Sequence, residues 1–137
     1  QQAKNEIKKS LNPIIVKAQN LEFNRKILEY GKFQIFLSPE LSSDAKKDKL
    51  KQINSGFNHV LAKIAAEKNI AIGISLAELQ AKDKKEKAIQ LAKIKQNIKI
   101  ARKAKCKLKV MNYKNKKDAE SFLTSLGAST QQISQAF

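Results

Sequence analysis

The sequence predicts an α/β fold built from parallel β-α repeats, and three observations carry that reading. Short apolar, branched-residue runs recur at 14–18 (IIVKA), 33–37 (FQIFL), 70–76 (IAIGISL) and 107–112 (KLKVMN), and each reads as a strand. The stretches between them place apolar residues at the helical period, most clearly at Phe57, Val60, Leu61, Ile64 and Ala65. The third run alternates only weakly, the pattern of a strand buried on both faces in a parallel sheet.

Taken in order, residues 2–11 read as an opening helix with Ala3, Ile7 and Leu11 on one side, ended by Asn12-Pro13. The first strand, 14–18, reads as short and buried. Asn20 is the expected N-cap of a helix through Tyr30 that Gly31 closes, with Leu21, Ile27 and Leu28 toward the core. The second strand, 33–37, stops at Ser38-Pro39. Residues 41–53 lack periodicity and carry Lys46, Lys47, Lys49 and Lys51, so they read as an exposed lysine-rich loop. Asn54 or Ser55 is the expected cap of the next helix.

The longest helix is expected over 83–104. Leu91, Ile94, Ile98 and Ala101 form its core face, and Ile89 and Ile100 form a second apolar spot on the far side. After the fourth strand, Ala119, Phe122, Leu123 and Leu126 define a helix ended by Gly127. Ser129 or Thr130 caps a last turn or two holding Ile133 and Phe137. Strand-helix alternation implies right-handed parallel crossovers. Four such units make half of a (β/α)₈, TIM-type barrel. A half barrel leaves sheet edges unpaired, so the sheet is either open and flavodoxin-like, completed by further chain, or covered by a partner.

The 137 residues fit a single domain, which at this size buries roughly two-thirds of its unfolded surface. Lys and Arg total 28 against 12 Asp and Glu, a net charge of +16. Such a field selects polyanions, nucleic acid first. Heat adaptation also enriches lysine, but it raises Glu as well, and acids are scarce here. An anionic membrane surface is disfavoured because no helix carries a bulky aromatic face. No apolar run approaches the ~18 residues of a membrane span. Cys106 is the single cysteine and reads as a filler beside a strand in a reducing, intracellular setting.

Within this frame, NSGFNHVLAKIAAEKNIAIGISLAEL (54–79) resembles the signature region of the ribonuclease P protein component 3 family. Ser55, Gly56, Asn58, His59, Val60, Leu61 and Ala62 match it in order. NRKILEYGKFQIFLSPE (24–40) is similar to that family's Asn-Arg helix and Pro-Glu strand end through Asn24, Arg25, Pro39 and Glu40. The resemblance covers roughly 14–126. It departs in three places: the 41–53 insert is longer than usual, Gly73 replaces the usual acid, and MNYKNK replaces a Thr-Ser-Gly-type turn. Family members carry more chain before the first strand seen here, so the 1–137 domain is expected to lack N-terminal barrel strands. The start at Gln1 rather than Met leads to the expectation of a trimmed or partial chain.

The resemblance implies a TIM-barrel-like fold related to a barrel class of metal-dependent phosphoesterases. It implies a role in 5′ maturation of precursor transfer RNA, with catalysis and Mg²⁺ belonging to the ribonuclease P RNA. It also implies a second small protein subunit as partner, and a cytoplasmic location, or a nuclear one in a eukaryote. The residues themselves point to no cofactor or metal bound by this chain: it holds one His, lacks GxGxxG and GxxxxGK[ST] phosphate loops, and shows no nucleophile motif.

The candidate RNA-binding residues are Lys95, Lys99 and Arg102, at i, i+4 and i+7 on the long helix, with Lys17, Arg25 and Lys26 as a second cluster. Arg25 and Arg102 are the two arginines, and arginine grips phosphate with two parallel hydrogen bonds. Ser55, Asn58 and His59 are candidates for contact with a loop, a partner or RNA, beside a reading in which His59 only ties loop to helix. With 6% aromatic residues and no Trp there is no stacking platform, so recognition is expected by backbone and shape. Two other readings stay open: a metal-dependent phosphoesterase, and an interaction module whose charge is incidental.

Overall fold

The computed structural model describes residues 4, 13–41, 55–80 and 83–137. Strand β1 (Ile15–Lys17) leads to helix α1 (Leu21–Tyr30), strand β2 (Ile35–Leu37) and a 3-10 turn (Pro39–Leu41). Helix α2 (His59–Glu67), strand β3 (Ala71–Ser75), the short α3 (Leu76–Gln80) and the long α4 (Lys84–Ala104) follow. Strand β4 (Leu108–Met111), α5 (Lys116–Ser125) and α6 (Thr130–Gln135) complete the order. The expected opening helix and lysine-rich loop lie outside the described residues, except for Lys4, which is helical, and Leu41, which ends the 3-10 turn.

All strand pairs are parallel, and the sheet order is β1-β2-β3-β4. A flavodoxin-like sheet has the order 2-1-3-4-5, its winding reversing after the second strand. Sequential order is how a (β/α) barrel winds, so this sheet is an arc of a TIM-barrel-like fold.

The register sorts side chains into two faces. Phe36, Ile72 and Leu108 align across one row, with Ile74 and Val110 in the next. All five belong to the buried core together with Leu28, Leu61, Ile94, Ile98 and Leu123 from the helices. Burying a side chain such as Phe36 contributes roughly 2–3 kcal/mol. The opposite face carries Ile15, Ile35 and Ala71 in one row and Lys17, Leu37, Gly73 and Lys109 in another. Burial on this face is uneven: Ile15 is 44% exposed and Ala71 half-buried, whereas Ile35 is buried yet outside the core cluster. It is the face that turns inward when a barrel closes. The expectation of a fully buried first strand is corrected accordingly.

Capping explains the helix starts. Asn20 accepts a hydrogen bond from the Phe23 amide, and Gly31 closes α1 at φ +74°. Asp83 accepts from the Glu86 amide at α4, and Asn115 from the Asp118 amide at α5. Helix α2 is capped by Asn58, which accepts from Leu61 N at 2.9 Å, not by Asn54 or Ser55. Ser129 and Gln132 form a reciprocal capping box at α6.

Three apolar assignments change. Leu21 is 50% exposed and Val60 55%. Both sit in a first helical turn, while buried Asn24 takes the inward place on α1 and accepts from Gln19 N at 2.8 Å. On α4, Ile100 is buried and Ile89 exposed, so the two form no shared apolar spot. Gln90, Lys93, Asn97 and Ile100 extend the buried side beyond Ile94, Ile98 and Ala101. At about 100° per residue the buried arc of α4 is roughly 160° wide, because α2 and the 3-10 turn pack on its second flank.

Cys106 is buried, its thiol donates toward Ile70 O at 3.3 Å, and burial pushes its pKa up to about 12. It fills space between β3 and β4.

Candidate nucleic-acid interface

Helix α4 is 21 residues long, or roughly 30 Å at 1.5 Å per residue. Its buried arc locks it to the sheet, which fixes what the opposite side presents. Lys95, Lys99 and Arg102 are all exposed along that outer side. Among the described residues no acid pairs with any of them. Within the helix the one acid is Glu86, in the first turn, where it favours the positive helix end. Arg102 and Lys103 stand in the last turn, where the helix dipole favours cations. The result is a rigid line of uncompensated positive charge.

The second expected cluster is charge-balanced instead. Lys17 Nζ lies 3.1 Å from Glu78 Oε1, Arg25 Nε 3.1 Å from Glu29 Oε1, and Lys26 Nζ 2.9 Å from Glu22 Oε1. The hydrogen bond between Lys26 and Glu22 holds the Glu22 carboxyl below its ordinary pKa and raises that of Lys26. Spacings of i, i+4 on α1 carried the latter two pairs in the sequence itself. The Lys17 pair is long-range and arises because α3 begins at the carboxyl end of β3.

Ser55, Asn58 and His59 divide. Ser55 is 1% exposed. Its hydroxyl accepts from Gln96 Nε2 and its carbonyl from Asn97 Nδ2, both at 3.2 Å, so it fastens the loop before α2 to α4. Asn58 is the cap. His59 is exposed in the first turn of α2.

A second polar group gathers at the carboxyl ends of the strands, where parallel barrels keep their sites. Ser38 Oγ donates to Glu78 Oε2 at 3.1 Å, and Asn112 Nδ2 donates to Ser75 Oγ at 3.2 Å. Ser38 and Asn112 hold left-handed backbone at φ +55° and +59°. Glu40 is 4% exposed and lies beside the buried Gln90 amide. Burial pushes the Glu40 pKa up to about 7, opposed in part by hydrogen bonding from its own backbone and from Gln90, with a smaller upward push from the charge of Glu78. Among the described residues no three His, Cys, Asp or Glu side chains come together as a metal site. No helix among them is long and apolar enough to cross a membrane.

The sequence reading missed Lys105 and Lys107, which continue the cationic line past the end of α4 and are exposed. The run RKAKCK at 102–107 was the available signal.

No family model matches the chain. Over 105 residues, 74% of its length, it is 32% identical to ribonuclease P protein component 3 of Methanocaldococcus jannaschii. The chain is a homologue of ribonuclease P protein component 3. It is also similar to a chain in a cryo-EM structure of archaeal ribonuclease P with mature tRNA, with a TM-score of 0.77 and 26% identity, over 98% of this chain. The component 3 homologue spans 41% of the length of the M. jannaschii protein and 58% of the cryo-EM chain. The run SGFNHVLA (55–62), which carries the resemblance in the sequence, falls on the loop and helix that Ser55 and Asn58 organise.

Proposed function

We propose that the chain acts on the protein side of ribonuclease P, binding RNA so that the catalytic RNA matures the 5′ end of precursor tRNA. The observation that carries the reading is the uncompensated cation line of α4 on a homologue of component 3. A helix pinned to a sheet presents cations without a backbone ordering cost on binding, and polyanion binding through several phosphates follows from counterion release. The partners in this reading are the ribonuclease P RNA, precursor tRNA and a second small protein subunit. Mg²⁺ belongs to the RNA.

The test is a precursor tRNA cleavage assay with and without the RNA component. The reading expects no cleavage by the chain with Mn²⁺ or Mg²⁺ alone. It expects binding to the RNA component that falls steeply between about 50 and 200 mM salt. Cleavage by the protein by itself, or salt-independent binding, overturns it.

A further inference from the structure

A cleft of about 830 Å³ lies between the end of α4 and α6. Arg102, Lys105 and Lys107 line one side, and Thr130, Gln131 and Gln135 the other. The lining contains no acid and no aromatic side chain. Buried Ala101 and Cys106 lie at its base.

Both walls are held by hydrogen bonds. Cys106 N donates to Ala101 O at 2.8 Å, and Lys105 turns the chain out of α4 at φ +60°. Cys106 points inward, so Lys105 and Lys107 on either side of it are exposed. Opposite them, Gln132 Nε2 donates to Ile98 O at 3.1 Å, which clamps α6 to α4. Gln131 and Gln135 then share the outer side of α6 at i, i+4.

Left-handed backbone at a helix end ordinarily takes glycine, yet lysine stands at 105. Three cations on one wall suit phosphates. Neutral amides and a hydroxyl on the other suit a group that both donates and accepts, which is what the ribose 2′-hydroxyl does. The missing aromatics leave the bases unread.

We propose that this cleft seats one strand of RNA backbone, with phosphates on Arg102, Lys105 and Lys107 and ribose hydroxyls on Thr130, Gln131 and Gln135. The inference rests on the RNA-binding reading above. It adds a groove, a second wall and a means of preferring RNA over DNA.

Fluorescence anisotropy with a labelled RNA hairpin and the DNA hairpin of the same sequence tests it, with Lys63→Ala on α2 as the control. Arg102→Ala and Lys107→Ala are each expected to weaken RNA binding about 5- to 10-fold and to lower the log–log salt slope by about one. The double variant Gln131→Ala/Gln135→Ala is expected to lose RNA affinity about 5-fold with an unchanged slope and to erase preference for RNA over DNA. Lys105→Gly is expected to raise Tm, because glycine relieves the left-handed backbone, while it weakens binding, so lost structure is not the cause. If the parent chain binds RNA and the cleft variants all stay within about twofold of Lys63→Ala, the cleft is overturned and the RNA-binding reading stands. If the parent binds no RNA even at low salt, both are overturned. Equal effects of the glutamine variant on RNA and DNA overturn the ribose assignment.

Discussion

Glu40 and Gly73 show how much a single position can hold. With the Glu40 carboxyl titrating at about 7 when folded and near 4.5 when unfolded, the folded state binds the proton more tightly. Between those values the native state carries more protons than the unfolded one, so stability falls as pH rises and then levels off above about 7. The full effect is about 3 kcal/mol, at 1.36 kcal/mol per unit. Glu40→Gln is expected to flatten this slope and to raise Tm at pH 8; chemical denaturation of both proteins from pH 4.5 to 8 checks it. Gly73 sits where a Cβ would come within 2.8 Å of Ile35 Cγ2 and 2.9 Å of Leu37 Cδ1. Gly73→Ala is therefore expected to destabilise by about 1–3 kcal/mol through overpacking, read as a lower urea midpoint.

Helix α4 separates two kinds of cation by what holds them. Arg102 is fixed on a helix whose other side is locked in the core, whereas Lys46 belongs to a sequence stretch with no helical period. Arg102→Ala is expected to weaken RNA binding several-fold more than Lys46→Ala does, since preordered charge binds without an ordering cost; equal losses in the same titration would remove α4 as the site. The strands and helices of the described residues were legible because period and caps agreed: Asn20 and Gly31 bound α1, and Asp83 starts α4. What escaped was three-dimensional. Nothing local in the sequence announces that Lys17 meets Glu78, 61 positions away, or that Ser55 turns inward to meet Gln96 and Asn97. The i, i+4 partners of Arg25 and Lys26 were visible in the sequence, and weighing them would have separated the paired cations from the unpaired ones.

Across the whole sheet, the two faces are unequal. Phe36, Ile72 and Leu108 belong to the core cluster, while Ile15, Ile35 and Ala71 lie outside it and Ile15 is exposed. Parallel sheets are ordinarily covered on both sides. An edge strand with an apolar residue 44% exposed is a site for association. Ile15→Lys is expected to reduce concentration-dependent self-association of the isolated chain in sedimentation velocity, with the unfolding free energy changed by only about 0.5 kcal/mol, as for a surface substitution. Opening of the core has a built-in gauge. The chain's single thiol, Cys106, is buried beside the starts of β3 and β4, and burial pushes its pKa up, so alkylation of the native state is slow. Its labelling rate under native conditions therefore counts how often the seam between those strands parts, with no engineered probe.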